Sequence, residues 1–164
     1  MIKLKNLLTE INAQQWNWYK NWCKKYLPNW PEYVIKDMLF TKLTSHEDLE
    51  DKKNHMLFFR DEYPNMVWKL EKLNDITFDS FSKETKDKMR KRKMGNKNLF
   101  QVPNDKKRLD SQIELIRKNG VSKLPIIVIK QNDGYDLWEG WHRTFANMKA
   151  FPEGYNCNAW VGYV

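Results

Sequence analysis

The chain has 164 residues, with 29 Lys and Arg against 21 Asp and Glu for a formal net charge of +8, and 14% aromatics including eight Trp. That length allows one domain, or one domain with an appended subdomain, and so many aromatics exclude a disordered chain despite its charge. No run of about 18 apolar residues exists and Met1–Lys5 lacks a signal-peptide core, so the chain is expected in the cytoplasm with no membrane partner. Cys23 and Cys157 are too few for a disulfide framework, and His46, His55 and His142 form no cluster at metal-ligand spacing. Reduced thiols and no direct metal cluster are the expectation.

The first thirty residues read as helix. Ile2, Leu4, Leu7, Leu8 and Ile11 recur at helical spacing, followed by Trp16, Tyr19, Trp22, Cys23, Tyr26 and Leu27. Pro28 and Pro31 punctuate the chain. The aromatic face could stack on bases, but packing on the domain is the commoner use of such a face. Glu32 to Leu43 is predicted as a short helix with Val34, Ile35, Met38 and Leu39 inward. Ser45-His46-Glu47-Asp48 resembles a capping box opening a helix that runs towards Arg60 and ends at Pro64. His46 and His55 are expected to face solvent. Met66 to Ile76 fits strand or helix, because Trp68 and Leu70 alternate while Leu70 and Leu73 suit a helix.

The charge excess is local. Ser80 to Arg108 holds eleven Lys or Arg against three Asp or Glu, and the remaining residues balance at 18 of each sign. Within it, Ser80 to Met94 carries Lys83, Lys86, Lys88, Arg90, Lys91, Arg92 and Lys93, with Gly95-Asn96 as its end. It reads either as a solvated helix or loop inserted at about 80–98, or as a surface whose Lys and Arg track nucleic-acid phosphates. Asn104 or Asp105 can cap a helix through Lys118 that buries Leu109, Ile113 and Ile116 and stops at Asn119-Gly120.

Leu124 to Ala150 is the most informative stretch. Ile126 to Ile129 is a β-branched apolar run, Asp133-Gly134 a hairpin turn signal, and Tyr135 to Trp138 the returning strand. Glu139-Gly140 breaks that pattern, and Trp141 to Lys149 continues as a helix with Trp141, Phe145 and Met148 inward. A helix that starts after a glycine aims its unpaired N–H groups and positive dipole end at whatever lies in front. With His142 and Arg143 in the first turn, backbone donors, an imidazole and a guanidinium can converge on one phosphate, and Thr144 can add a hydroxyl. Glu139 is the nearest carboxylate. The competing reading makes this a plain helix start, with Trp141 in the core and Arg143 in a surface pair. Last, Tyr155 to Val164 is predicted to close the sheet, with Cys157, Ala159 and Val161 on one face and Asn156, Asn158 and Trp160 on the other.

These residues resemble the ParB/sulfiredoxin superfamily, whose pattern is an apolar strand, a hairpin and a Gly-x-[His/Arg]-Arg turn opening a helix. Pro125-Ile126-Ile127-Val128, Asp133-Gly134-Tyr135 and Gly140-Trp141-His142-Arg143 match it, and Phe100-Gln101-Val102-Pro103 is similar to its first box. The resemblance covers roughly Met66 to the C-terminus. Where sulfiredoxins place a nucleophilic cysteine, Trp141 stands here, so no thiol relay is implied. Partition proteins carry Gly-Glu-Arg-Arg, of which Gly140 and Arg143 remain, and a later nucleotide motif and helix-turn-helix that the residues to Val164 do not supply. The turn is most similar to the Gly-His-His-Arg type of a free serine kinase.

The resemblance implies an α+β fold, with a small mixed β-sheet and flanking helices over residues 65–164, a first strand from Met66, and a helical N-terminal extension over 1–64. It implies ATP, ADP or CTP with Mg²⁺ as the ligand. Two functions follow. One is a phosphotransferase or nuclease with Glu139 and His142 at the reacting centre and Gly140, Trp141, His142, Arg143 and Thr144 holding phosphate. The other is a non-catalytic DNA-binding protein that uses Lys83–Lys97. Asp105 and Lys107 are candidates for the opposite wall of the cleft.

Overall fold

A computed structural model of the chain describes residues 2–42, 49–93 and 105–164. Two units divide it, Met1–Trp68 together with Val164, and Lys69–Tyr163.

The first unit is helical: α1 (Ile2–Tyr26), α2 (Glu32–Val34), a π-helical segment (Ile35–Lys42) and α3 (Leu49–Glu62). Spacings of three and four residues put Trp16, Tyr19, Cys23 and Leu27 on one buried stripe of α1. Phe40 lies 5.2 Å from Trp16 and 5.6 Å from Tyr19 between ring centroids, and the Tyr19 hydroxyl donates to the Lys52 carbonyl at 3.1 Å. Burial pushes the Cys23 thiol up to about 12, with the Tyr19 hydrogen bond opposing it. Val34, Ile35, Met38 and Leu39 are buried as their spacing predicts, although the helix widens into a π-turn from Ile35. Trp30 closes the unit against Phe59 at 5.8 Å and Trp68 at 5.2 Å. The capping box at Ser45–Asp48, with His46, lies outside the described residues. His55 is half-buried rather than solvent-facing, because it shares the α3 face that carries buried Lys52 and Met56.

The second unit is built on a four-stranded sheet, β1 (Val67–Ile76), β2 (Ile126–Gln131), β3 (Gly134–Glu139) and β4 (Tyr155–Tyr163), in the order β1-β4-β2-β3. The stretch from Met66 to Ile76 therefore forms a strand over Val67–Ile76 rather than a helix. Ile126–Ile129 is buried throughout, as a central strand covered on both faces must be. β2 runs parallel to β4, pairing Ile126 with Ala159 and Val128 with Val161, and antiparallel to β3. In β4 the predicted alternation holds, with Cys157, Ala159 and Val161 buried and Asn156 and Asn158 exposed. β4 lies inside the sheet rather than at its edge. The Asp75 amide donates to Asn156 Oδ1 at 2.9 Å and the Tyr163 hydroxyl to Glu71 Oε1 at 2.8 Å, tying β1 to it.

Between β1 and β2 lie a 3₁₀ turn (Phe78–Ser80), α4 (Lys83–Lys93) and α5 (Asp105–Asn119); α6 (Trp141–Ala150) joins β3 to β4. Half-buried Trp141, Phe145 and Met148 pack on the sheet core as predicted. On the other side of α6, Ala146 meets Ile113 and Ile116 of α5. The helix is thus held between the sheet and α5, which is why Thr144 and Asn147, polar residues of its middle, are also buried. α5 stops at Gly120, whose φ is +80° and whose N–H donates to the Ile116 carbonyl at 2.8 Å.

The hairpin turn is offset by one residue from the predicted Asp133-Gly134. Gln131 pairs with Gly134, leaving Asn132 and Asp133 as the loop. Gly134 sits in the strand because a Cβ there would stand 2.7 Å from the Phe81 carbonyl carbon and 2.8 Å from the Ser80 oxygen. Phe81 bridges to Tyr135 at that point, so the chain before α4 lies against the open edge of β3.

Candidate functional site

Two helices of the second unit start on the same strand, β3. α4 begins at its head. Ser82 Oγ accepts from the Thr85 N–H at 3.2 Å, an N-cap, and Asp133 Oδ2 accepts from the Lys83 N–H at 2.8 Å. The Ser82 amide donates to the Tyr135 carbonyl at 2.9 Å. Asp136 then gathers three donors: Thr85 Oγ1 at 2.6 Å and Ser82 Oγ at 3.3 Å on Oδ1, and Trp138 Nε1 at 3.3 Å on Oδ2. Thr85 Oγ1 also accepts the Leu137 N–H at 2.9 Å. Ser82 and Thr85 are buried, so the network replaces water for their hydroxyls. Sequence reasoning did not find it. The local signal is a Ser three residues before a Thr at a helix start; the acceptor lies 51 residues beyond Thr85.

That anchor fixes the basic segment. Lys83–Lys93 is a helix docked by its N-terminus, with Met89 buried beneath it. Lys83, Lys88, Arg90 and Lys91 are exposed and Lys86 is half-buried. Two of these charges meet acids of their own helix: Lys88 pairs with Glu84 at 2.5 Å and Arg90 with Asp87 at 2.9 Å, and Arg90 also lies over the Phe78 ring. Such exposed pairs hold their charges weakly. The side chains of Arg92 and Lys93, and residues 94–104 with the box at Phe100–Pro103, lie outside the described residues. So does the Asp105 side chain; Lys107 is exposed on α5.

α6 begins at the other end of β3. Gly140, its N-cap, has φ +97° and ψ +21°, a left-handed conformation, and no side chain caps the helix. The Thr144 N–H donates to the Gly140 carbonyl at 2.9 Å, so the amides of Trp141, His142 and Arg143 precede the first intrahelical bond. A Cβ on Gly140 would stand 2.7 Å from Ile126 Cγ2 and 3.3 Å from Arg143 Nη2. Glycine is therefore required here by the protein's own packing, whatever else approaches.

Arg143 folds back over this turn. Its Nη2 donates to the Pro125 carbonyl at 3.0 Å, tying the start of α6 to the start of β2, and its Nε is enclosed with no hydrogen-bond acceptor among the described residues. It makes no surface ion pair among those described, unlike the plain-helix reading. His142 and Trp141 are half-buried, and Glu139, at the end of β3 opposite Ile127, is buried. Neighbouring positions on a helix point about 100° apart, so His142 and Arg143 flank the turn from different sides. Thr144 is fully buried. Its hydroxyl adjoins the Tyr155 phenol without good hydrogen-bond geometry, and burial drives that phenol's pKa upward with Thr144 opposing. Its amide serves the fold, whereas its hydroxyl is enclosed without a hydrogen-bond partner among the described residues.

No group of three or more His, Cys, Asp or Glu placed to hold a metal occurs among the described residues, and no described helix is long and apolar enough to cross a membrane. Cys23 and Cys157 are free and buried. A lone carboxylate such as Glu139 suits Mg²⁺ only where substrate phosphates supply most of the oxygen ligands. No family model, curated protein or solved structure matches the chain.

Proposed function

We propose that this chain binds the phosphate of a nucleotide or nucleic acid at the start of α6, as a domain of the ParB/sulfiredoxin type. The observation that carries the reading is Arg143: a guanidinium beside a left-handed glycine N-cap, with one N–H spent on Pro125 and its Nε enclosed without an acceptor. Leaving such a donor unpaired costs about 1–3 kcal/mol, and an anionic oxygen that reached it would offset that cost. The first-turn amides complete the donor set, and His142 lies beside it on the next face of the helix. ATP, ADP or CTP with phosphate-borne Mg²⁺ is the ligand class, and Glu139 and His142 are the groups to which phosphoryl transfer or phosphodiester cleavage would fall.

A second reading assigns the phosphate contact to α4 and makes the chain a non-catalytic DNA-binding protein. It is favoured by the rigid docking of a helix whose Lys83, Lys88, Arg90 and Lys91 are exposed. Thermal-shift and calorimetric titration with ATP, ADP, CTP and short duplex DNA, with and without Mg²⁺, separates the two. Stabilisation by a nucleotide that is lost in His142→Ala/Arg143→Ala supports the α6 site. Salt-dependent DNA binding that survives those changes and falls in Lys83→Gln/Lys91→Gln moves the function to α4.

A further inference from the structure

The aromatic residues of α1 fall on two stripes with different fates. Trp16, Tyr19 and Cys23 are buried. Trp18, Trp22 and Tyr26 recur every four residues on a second stripe, where Trp18 is 45% exposed and the other two are half-buried. The Trp18 and Trp22 rings are nearly parallel, 8° apart with centroids 6.3 Å apart, and Trp22 and Tyr26 follow at 4.9 Å. Packing explains the first stripe. It does not explain a row of rings left in contact with water.

Cations lie over that row. Lys53 Nζ is 4.9 Å from the Trp18 centroid and 5.6 Å from that of Trp22, while Lys25 and Arg60 stand 5.2 and 5.7 Å from Tyr26. Lys53 and Arg60 come from α3, so two helices of one unit build the row together. Their carboxylate partners are exposed, Glu50 at 3.1 Å from Lys53 and Asp61 at 2.6 Å from Arg60, and such pairs yield readily to another anion. Along a helix, four residues rise about 6 Å, nearly twice the roughly 3.4 Å per nucleotide of a duplex strand. The 6.3 Å between the parallel Trp18 and Trp22 rings matches bases that have come apart from one another, whereas Tyr26 is tilted 59° from Trp22.

We propose that the Trp18–Trp22–Tyr26 stripe, with Lys25, Lys53 and Arg60, binds single-stranded nucleic acid, bases stacking on the rings and phosphates meeting the cations. Alternating π-faces and cations is the chemistry that holds single strands without reading their sequence. An acidic peptide would satisfy the cations but make no use of the exposed ring area of Trp18. This surface lies wholly in the helical unit and is independent of the α6 site.

The test is fluorescence anisotropy of a short labelled oligothymidylate on the full chain. A duplex of equal length, an abasic strand with the same number of phosphates and an oligoglutamate serve as competitors. The His142→Ala/Arg143→Ala protein, which retains this surface, is titrated in parallel. Binding in both proteins, weakened about tenfold by Trp18→Ala and largely restored by Trp18→Phe, is the expected result. Lys53→Gln should lower the salt slope by about one. Failure of the intact chain to bind overturns the proposal. So does an effect of Trp18→Ala below about twofold, or an abasic strand or oligoglutamate that competes as well as the oligonucleotide.

Discussion

α4 and α6 begin at opposite ends of β3, and the two starts are built on contrary plans. At α4 the donors are consumed: Ser82, Asp133 and Asp136 take the amides and hydroxyls of the first turn. At α6 the cap is a glycine with no side chain to offer, and Arg143 adds a donor beside it, with the buried Glu139 carboxylate on the strand side of the turn. A helix start that is saturated with carboxylate and hydroxyl oxygen positions its own helix and has little left for an anion. One whose cap offers no side-chain oxygen leaves its first amides to another partner, and that contrast is what the phosphate proposal at α6 draws on.

The largest test of this contrast is steric. Gly134→Ala should destabilise the chain by about 3 kcal/mol or more in urea unfolding, because every atom its Cβ would meet belongs to the backbone at Ser80 and Phe81. Gly140→Ala should cost about 2 kcal/mol, since its φ is unfavourable and its Cβ would meet the Ile126 Cγ2 and Cβ at 2.7 and 3.1 Å, side-chain rather than backbone atoms. Equal losses would mean that the α4 junction is no tighter than the α6 turn. Thr85→Val, which strands the Leu137 N–H and takes a donor from Asp136, should cost about 2 kcal/mol and raise hydrogen exchange across α4 while leaving α6 unchanged. Ser82→Ala should cost about 1 kcal/mol, the usual worth of an N-cap. If it costs nothing, the first turn of α4 is held by Asp133 and by Thr85 on Asp136 without the Ser82 cap.

A last check uses pH on the strand beneath α6. Burial pushes the Cys157 thiol from 9.0 up to about 11. The raised pKa favours the protonated thiol in the folded state, so its contribution to stability is fully present below pH 9 and is lost as pH rises from 9 to about 11. Cys157→Ala should flatten that alkaline decline. A decline of unchanged size would assign it to other groups.

Much of this architecture was legible because it is local. The run Ile126–Ile129 announces a strand buried on both faces, and the alternation from Tyr155 to Val161 announces one face of the sheet. Trp16, Tyr19, Cys23 and Leu27 announce the buried stripe of α1. What escaped is set by distant partners. The hairpin turn slipped by one residue because Phe81, far upstream, needs Gly134 in the strand. The Asp136 network shows locally only as a Ser three residues before a Thr, with its acceptor far along the chain, and the burial of Thr144 follows from α6 being held between the sheet and α5. Gly140, His142 and Arg143 were legible as a turn; that Arg143 would spend one arm on Pro125 was not.

The anchoring of α4 also bears on biosynthesis. The Asp133 carboxylate that receives the Lys83 amide lies 50 residues further along. A growing polypeptide therefore presents its most cationic segment before the hairpin that will seat it has left the ribosome. An eleven-residue helix of this kind is marginal by itself, so the segment gains its oxygen partners only when β3 is complete.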